Sequence, residues 1–87
     1  MQFKPTERAL LVDLLIFGPN RAKPIAERTN IHRNTIAKYT NELQQSNHLL
    51  AKGGGVYRLS DKGRQAAEGL VLSGELPYGT TDSDGDD

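Results

Sequence analysis

Few side chains in this 87-residue chain are suited to catalysis or metal binding, and their spacing argues against both. His32 and His48 lie sixteen positions apart, and no carboxylate is spaced to complete a zinc site with them, so we expect surface or helix-capping roles. The absence of cysteine excludes disulfides, thiolate ligands and cysteine nucleophiles. The glycines at 53–55 lack the lysine and the serine or threonine that follow them in a phosphate-binding loop. We therefore expect no enzyme and no cofactor.

The net charge of zero hides an uneven distribution of acidic residues. Four of the eleven acidic residues lie in the last six positions. Residues 1–81 contain eleven basic and seven acidic residues, so their net charge is about +4. We predict one domain over residues 1–72 and a flexible acidic tail over 73–87, which either solubilises the chain or competes for its basic surface.

Hydropathy points to a protein of the cytoplasm. No stretch of about 18 apolar residues is present, and the N-terminus lacks the charged and then apolar layout of a secretory signal. We therefore expect no membrane partner. With 36% hydrophobic residues, the chain can bury a small core of modest stability.

A first helix is predicted over residues 7–17, with Thr6 as its N-cap. Its leucines form a wide apolar stripe, and Val12 and Ile16 lie beyond the edge of that stripe. A helix that is apolar nearly all round has more apolar surface than a small core needs. We expect Val12 and Ile16 to meet a second copy of the chain; the alternative is that the C-terminal segment covers them.

A short helix, a turn and a third helix are predicted next. The short helix opens at Pro24 and ends near residue 29, and Asn30 tolerates the left-handed geometry of the turn. The third helix covers 32–46, with Asn47 as the closing residue. One face of this helix is mainly apolar and consists of Ile36, Thr40 and Leu43. The opposite face is polar and consists of Asn34, Lys38, Asn41 and Gln45.

The second half of the chain predicts a hairpin and a last helix. Strand patterns at 49–52 and 56–59 flank three glycines that supply positive φ for the loop. Ser60 is placed to cap the helix that follows. The predicted fold class is therefore mainly α with a small β-hairpin: a three-helix core, a two-stranded wing and a C-terminal helix.

Two segments carry a resemblance to a known family. They are Ile-Ala-Glu-Arg-Thr-Asn-Ile-His-Arg-Asn-Thr-Ile-Ala-Lys-Tyr at 25–39 and Gly-Gly-Val-Tyr-Arg-Leu-Ser-Asp-Lys-Gly-Arg at 54–64. Over roughly 6–72 the chain resembles winged helix-turn-helix transcriptional regulators. Within these it is most similar to small repressor-like proteins of haloarchaea and their viruses, which are related to the multiple-antibiotic-resistance type. It departs from the pattern at Thr40, where relatives usually have leucine, and at Asn47, where they often have glycine.

The resemblance implies a repressor that binds double-stranded DNA in a sequence-specific way. It implies that the helix at 32–46 enters the major groove and that the wing at 51–58 contacts the adjacent backbone. Base contacts would fall to Arg33, Asn34 and Lys38, whose side chains suit guanine and adenine edges. Phosphate contacts would fall to His32, Thr35, Tyr39, Lys52 and Arg58, with Arg21 and Lys23 as further ones.

Such a small domain is expected to act as a homodimer on a palindromic site, and no small-molecule ligand is evident. The competing hypothesis is a winged helix that serves as a protein-interaction or assembly module without DNA binding. Binding of RNA also stays open.

Overall fold

The computed structural model describes residues 3–74, which form four helices and a three-stranded antiparallel sheet. The helices are α1 (Pro5–Phe17), α2 (Ala22–Thr29), α3 (Arg33–Gln45) and α4 (Asp61–Leu72). The strands are β1 (Asn20–Arg21), β2 (Leu49–Lys52) and β3 (Val56–Leu59), in the sheet order β1-β3-β2. The predicted fold class is confirmed, with β1 as a third strand that was not predicted. Of the predicted tail over 73–87, everything from position 75 onwards lies outside the described residues.

Helix α1 begins two residues earlier than predicted. Pro5 occupies its first position, where a missing N–H and a fixed φ are an advantage. Lys4 is the N-cap, and its backbone N–H donates to Glu7 Oε1 at 2.8 Å. Thr6 therefore lies inside the helix, which corrects its prediction as the cap.

Helix α1 is the centre of the molecule, because α2, α3, α4 and β3 all pack against it. Leu10, Leu11 and Leu14 enter the main core, as the leucine stripe predicts. Val12 is also fully buried, at 0% exposure, so it offers no surface to a partner and its predicted place in a dimer interface is wrong. The reason is that α1 is enclosed from several sides, and its most extensive packing is with the C-terminal helix α4. Ile16, in contrast, is 50% exposed.

An ion pair joins α1 to α2. The Arg28 guanidinium donates to both carboxylate oxygens of Asp13, at 2.7 and 3.0 Å, and Asp13 is fully buried. The same guanidinium lies 4.4 Å from the centre of the Phe17 ring. A paired, bidentate carboxylate avoids the large desolvation cost of a lone buried charge, so this contact fixes α2 against the central helix.

Each helix of the helix-turn-helix is followed by an asparagine in the left-handed conformation. Helix α2 begins at Ala22, two residues before Pro24, whose missing N–H is one of those that have no partner in a first turn. Asn30 follows α2 with φ 60°, as predicted. Asn47 follows α3 with φ 67°, and the N–H groups of His48 and Asn47 donate to the carbonyls of Leu43 and Gln44. This paired hydrogen-bond pattern is the Schellman motif, so asparagine closes α3 as glycine does elsewhere.

His48 lies at the base of the wing, the hairpin formed by β2 and β3, and it is not at the surface. Its side chain is 2% exposed, its Nδ1 lies 2.7 Å from Ser46 Oγ, and its ring packs edge-on against Phe3. This burial corrects the expected surface or capping role. It lowers the pKa of His48, and the Lys62 cation lowers it further, against a smaller opposing effect of Glu7.

The backbone of His48 also joins the wing to α4. Its carbonyl accepts from the N–H of Ser60, the predicted N-cap of α4, whose Oγ accepts from Gly63 N–H at 3.0 Å. A Cβ on Gly63 would lie 1.9 Å from the His48 carbonyl oxygen, so only glycine permits this approach.

In the part of the chain that the structure describes, no helix is long and apolar enough to cross a membrane.

Candidate nucleic-acid interface

The outer face of α3 presents polar and cationic side chains to solvent. Arg33, Asn34 and Lys38 are all exposed, and so are Asn41 and Gln45 further along the same helix. Guanidinium, ammonium and amide groups are the donors that read guanine and adenine edges in the major groove. The structure therefore leaves the side chains of all three predicted base-contacting residues accessible to solvent.

The inner face of α3 fixes that outer face in place. Ile36, Thr40 and Leu43 have between 0% and 1% exposure, as the apolar periodicity predicts. Thr40 stands where relatives of the resembled family have leucine, and its Oγ1 donates to the Ala37 carbonyl at 3.0 Å. Its hydroxyl is therefore satisfied inside the core, so the departure from the family pattern leaves no buried polar group without a partner.

His32 stands at the N-terminus of α3 as its N-cap. Its Nδ1 accepts from the backbone N–H of Asn34 at 3.0 Å. In neutral imidazole the proton is then on Nε2, which is a donor. The exposed side chain of His32 can thus cap α3 and offer an N–H to a phosphate oxygen at the same time.

Two lysine side chains lie close to the Tyr39 ring beside α3, and sequence spacing does not predict this arrangement. Its ring packs against the core, and Lys38 Nζ lies 5.4 Å from the ring centre. Lys4 Nζ lies 5.6 Å from the same ring centre, so the N-cap of α1 adds a positive charge to this surface. Lys4 was not among the predicted site residues, because no local pattern relates positions 4 and 39. Thr35, predicted to contact phosphate, is half-buried one turn before Tyr39.

The wing carries a second cationic surface. Val56 pairs with Lys52 on one side and with Arg21 on the other, so these three residues form one row across the sheet. Arg58 lies two positions further along β3, and residues two apart share a face of a strand. Arg21, Lys52 and Arg58 are therefore exposed on one face, which we call the wing face, while Tyr57 and Leu59 pack inward.

Strand β1 explains how Arg21 joins the wing face. The sequence suggested only that Arg21 precedes α2, because a two-residue strand has no detectable periodicity. In the structure, a Cβ on Gly54 at the wing tip would lie 3.6 Å from Arg21 Nη2. The guanidinium thus reaches the tip of the hairpin. Lys23, the other cation predicted there, is exposed in the first turn of α2.

Charge supports an anionic partner for these surfaces. Residues 3–74 contain all eleven basic residues and six acidic ones, and Asp13 is already paired with Arg28. Within those residues, no three His, Asp or Glu side chains are grouped closely enough to hold a metal ion. The two cationic surfaces have the polarity needed for a nucleic-acid backbone.

Helix-turn-helix, hairpin and closing helix in this order define a winged-helix protein. Among solved structures, quinone-bound YodB from B. subtilis, a winged-helix-type protein, is similar to the chain, with a TM-score of 0.59. The two sequences are 28% identical, and the match covers 74% of each chain. No protein-family model matches the chain, and no curated protein matches it either.

Proposed function

We propose that this protein is a double-stranded DNA-binding transcriptional regulator without catalytic activity. The observation that carries the proposal is the pair of cationic surfaces: the outer face of α3, and the wing face with Arg21, Lys52 and Arg58. A helix of this kind fits the major groove, and a basic wing beside it reaches the neighbouring phosphates. The similarity to YodB supports a regulator of this class at a coarse level.

The two surfaces have different proposed roles. Arg33, Asn34 and Lys38 read bases, because they lie on a helix whose orientation the core fixes. His32, Thr35 and Tyr39 flank them and contact phosphates, as do the wing-face cations and Lys23. Specificity then comes from α3, and much of the affinity comes from the phosphate contacts.

We further propose that the protein binds DNA as a homodimer and acts as a repressor. Four of the exposed large apolar side chains lie in the last turns of α1 and α4: Ile16, Phe17, Val71 and Leu72. Leu72 is 88% exposed, and exposed apolar surface of this kind favours a partner. A second copy would give a palindromic footprint, whereas one domain of this size covers too few base pairs for useful specificity. A dimer that occupies an operator would exclude other proteins from that site.

The competing role is a protein-interaction module. Such a module would expose apolar side chains on α3, since an interface core is depleted of charge. The outer face of α3 instead exposes Arg33, Lys38 and three amide side chains. This composition favours DNA over a protein partner.

Selection from a random duplex pool tests the proposal. We expect the full chain to enrich a palindrome whose half-sites lie about one helical turn apart, and light scattering to show a dimer. The same selection with RNA pools, and pull-down with protein partners, tests the alternatives. Failure to enrich any duplex at low salt, or enrichment of RNA alone, would overturn the assignment.

A further inference from the structure

The start of α1 is anchored beside the C-terminal end of α3. The Phe3 ring packs edge-on against His48, with the two ring centres 5.0 Å apart. The Phe3 carbonyl accepts from Arg8 Nη1 at 2.8 Å, and the backbone N–H of Lys4 donates to Glu7 Oε1, also at 2.8 Å. The backbone of Lys4 is therefore held by the residues around it, although its side chain is exposed.

Three donor groups lie close together at this place. Lys4 Nζ lies 5.6 Å from the centre of the Tyr39 ring, and Lys38 Nζ lies 5.4 Å from the same centre. Both distances are within the range in which an aromatic ring attracts a cation. The third donor is the Tyr39 hydroxyl. We call Lys4, Lys38 and Tyr39 the tyrosine cluster.

The donors of the tyrosine cluster are not taken up by acceptors of the protein. Within residues 3–74, no carboxylate forms a salt bridge with Lys4 or Lys38, and the Tyr39 hydroxyl makes no hydrogen bond. Glu7 accepts from the backbone of Lys4 and not from its ammonium group. Two ammonium groups near one ring repel each other, and an anion placed beside them relieves this repulsion. The cluster therefore favours an anionic oxygen.

The position of the cluster on α3 indicates which anion it meets. Tyr39 follows Thr35 by one turn, and both residues are half-buried at the edge between the core-facing and the outer face of α3. A helix that lies in the major groove has a sugar-phosphate backbone along its edges. The contacts proposed so far for this edge come from Thr35 and Tyr39, which carry no charge.

We propose that Lys4 contacts a DNA phosphate at this edge of α3, together with the Tyr39 hydroxyl. This inference rests on the proposed function. The Tyr39 ring holds the Lys4 ammonium in place before DNA arrives, so less side-chain freedom is lost on binding. Lys4 becomes the fifth cation assigned to a phosphate, and the other four are Arg21, Lys23, Lys52 and Arg58.

Removal of the Lys4 charge separates a direct contact from a general effect of net charge. Lys4→Gln is expected to weaken binding of the preferred and the mismatched duplex alike, on the order of tenfold at low salt, and to reduce the salt slope by about 0.9. Arg64→Gln removes one charge from an exposed position of α4, outside the proposed DNA surfaces, and should leave the salt slope unchanged. Lys4→Arg keeps the charge and should keep most of the affinity.

Two further measurements control these variants. Thermal unfolding of Lys4→Gln should match that of the wild type, because the cap of α1 uses the backbone of Lys4. Tyr39→Phe keeps the ring that packs against the core and should weaken duplex binding several-fold without a change in salt slope. An affinity that Tyr39→Phe leaves unchanged would refute the role of the hydroxyl.

Single methylphosphonate substitutions in the enriched duplex locate the contact. Each substitution makes one phosphate neutral, so one position should weaken binding by the wild type and have a much smaller effect on Lys4→Gln. If every position weakens both proteins equally, Lys4 makes no direct contact and the proposal is refuted. Normal affinity and salt slope in Lys4→Gln would refute this contact alone, whereas no duplex binding by the wild type would refute the proposed regulator and this contact with it.

Discussion

Helix α3 and the wing are positioned by different kinds of contact. Helix α3 buries Ile36, Thr40 and Leu43, and its outer face follows from that packing. The wing buries little beyond its base, since residues 50–55 are all exposed and the tip at Gly54 and Gly55 has φ values of 76° and 77°. Its base is placed by backbone contacts, chiefly the His48 carbonyl against Ser60 and Gly63.

This difference fits the two proposed roles. Base readout needs donors whose direction is fixed, and side chains in a close-packed core fix α3. Phosphates accept contacts over a wider range of directions, so the exposed wing can carry Lys52 and Arg58 on long side chains. The comparison predicts that the same type of substitution has unequal effects in the two regions.

Truncation of an apolar side chain should show the largest contrast. Ile36→Ala on α3 is expected to destabilise the fold by about 2–5 kcal/mol, because it leaves a cavity at a fully buried position. Leu50→Ala on the wing removes a side chain that is 46% exposed and should cost less than about 1 kcal/mol. Urea unfolding of both variants measures the difference. Equal losses would show that the wing is as tightly packed as α3.

Two glycines of α4 test the backbone contact at the base of the wing. Gly63→Ala should destabilise by about 1–3 kcal/mol, because its Cβ would meet the His48 carbonyl at 1.9 Å and the chain must shift. Gly69→Ala, in the same helix, has no atom within 4 Å of the new Cβ and should stabilise by about 0.5–1 kcal/mol. Thermal unfolding measures the change in stability of both variants, a loss for Gly63→Ala and a gain for Gly69→Ala. A stable Gly63→Ala variant would mean that α4 does not fix the wing.

Removal of one charge from each surface should separate specificity from affinity. Arg33→Ala is expected to cost about 1–3 kcal/mol on the preferred duplex and much less on a mismatched one, because it loses a base contact. Lys52→Ala should weaken all duplexes alike and reduce the salt slope by about 0.9. Anisotropy titrations with the preferred and the mismatched duplex, at several salt concentrations, measure these changes in affinity and in salt slope. Equal relaxation of specificity by both variants contradicts the division of roles.

The smallest expected effect is a dependence of folding stability on pH that comes from His48 at the base of the wing. The pKa of His48 is lowered in the folded chain, whereas the unfolded chain has the ordinary value of about 6.5. The unfolded state therefore binds more protons as the pH falls through about 6.5, so stability declines there and levels off below the folded pKa. Urea unfolding between pH 7.5 and 5.5 should show this decline for the wild type and a reduced one for His48→Gln. An unchanged slope in the variant would assign the effect to another group.

Local patterns predict much of this architecture from sequence. The 3.6-residue period of α3, the glycines of the hairpin and the Ser60 cap are each set by neighbouring residues, and the structure confirms them. The cap of α1 was misplaced by two residues because Pro5 fits the first helical position better than a residue before it. Helix boundaries depend on such single competing preferences.

Tertiary contacts account for what the sequence could not predict. Val12 was assigned to a surface because an isolated helical wheel cannot show that several elements enclose α1. The burial of His48, the place of Lys4 beside Tyr39 and the addition of Arg21 to the wing face likewise depend on residues distant in sequence. The accessible polar face of α3 was predicted, and the second cationic surface was predicted only in part.

The most direct test of the central claim is duplex binding at several salt concentrations. We expect fluorescence anisotropy to show log affinity falling with log salt at a slope of about −4 to −5, as about five neutralised phosphates require. Simultaneous charge removal at Arg21, Lys52 and Arg58 should flatten that slope by about 2.7. No binding in dilute buffer, or a slope that this triple variant leaves unchanged, would contradict a DNA interface built from α3 and the wing.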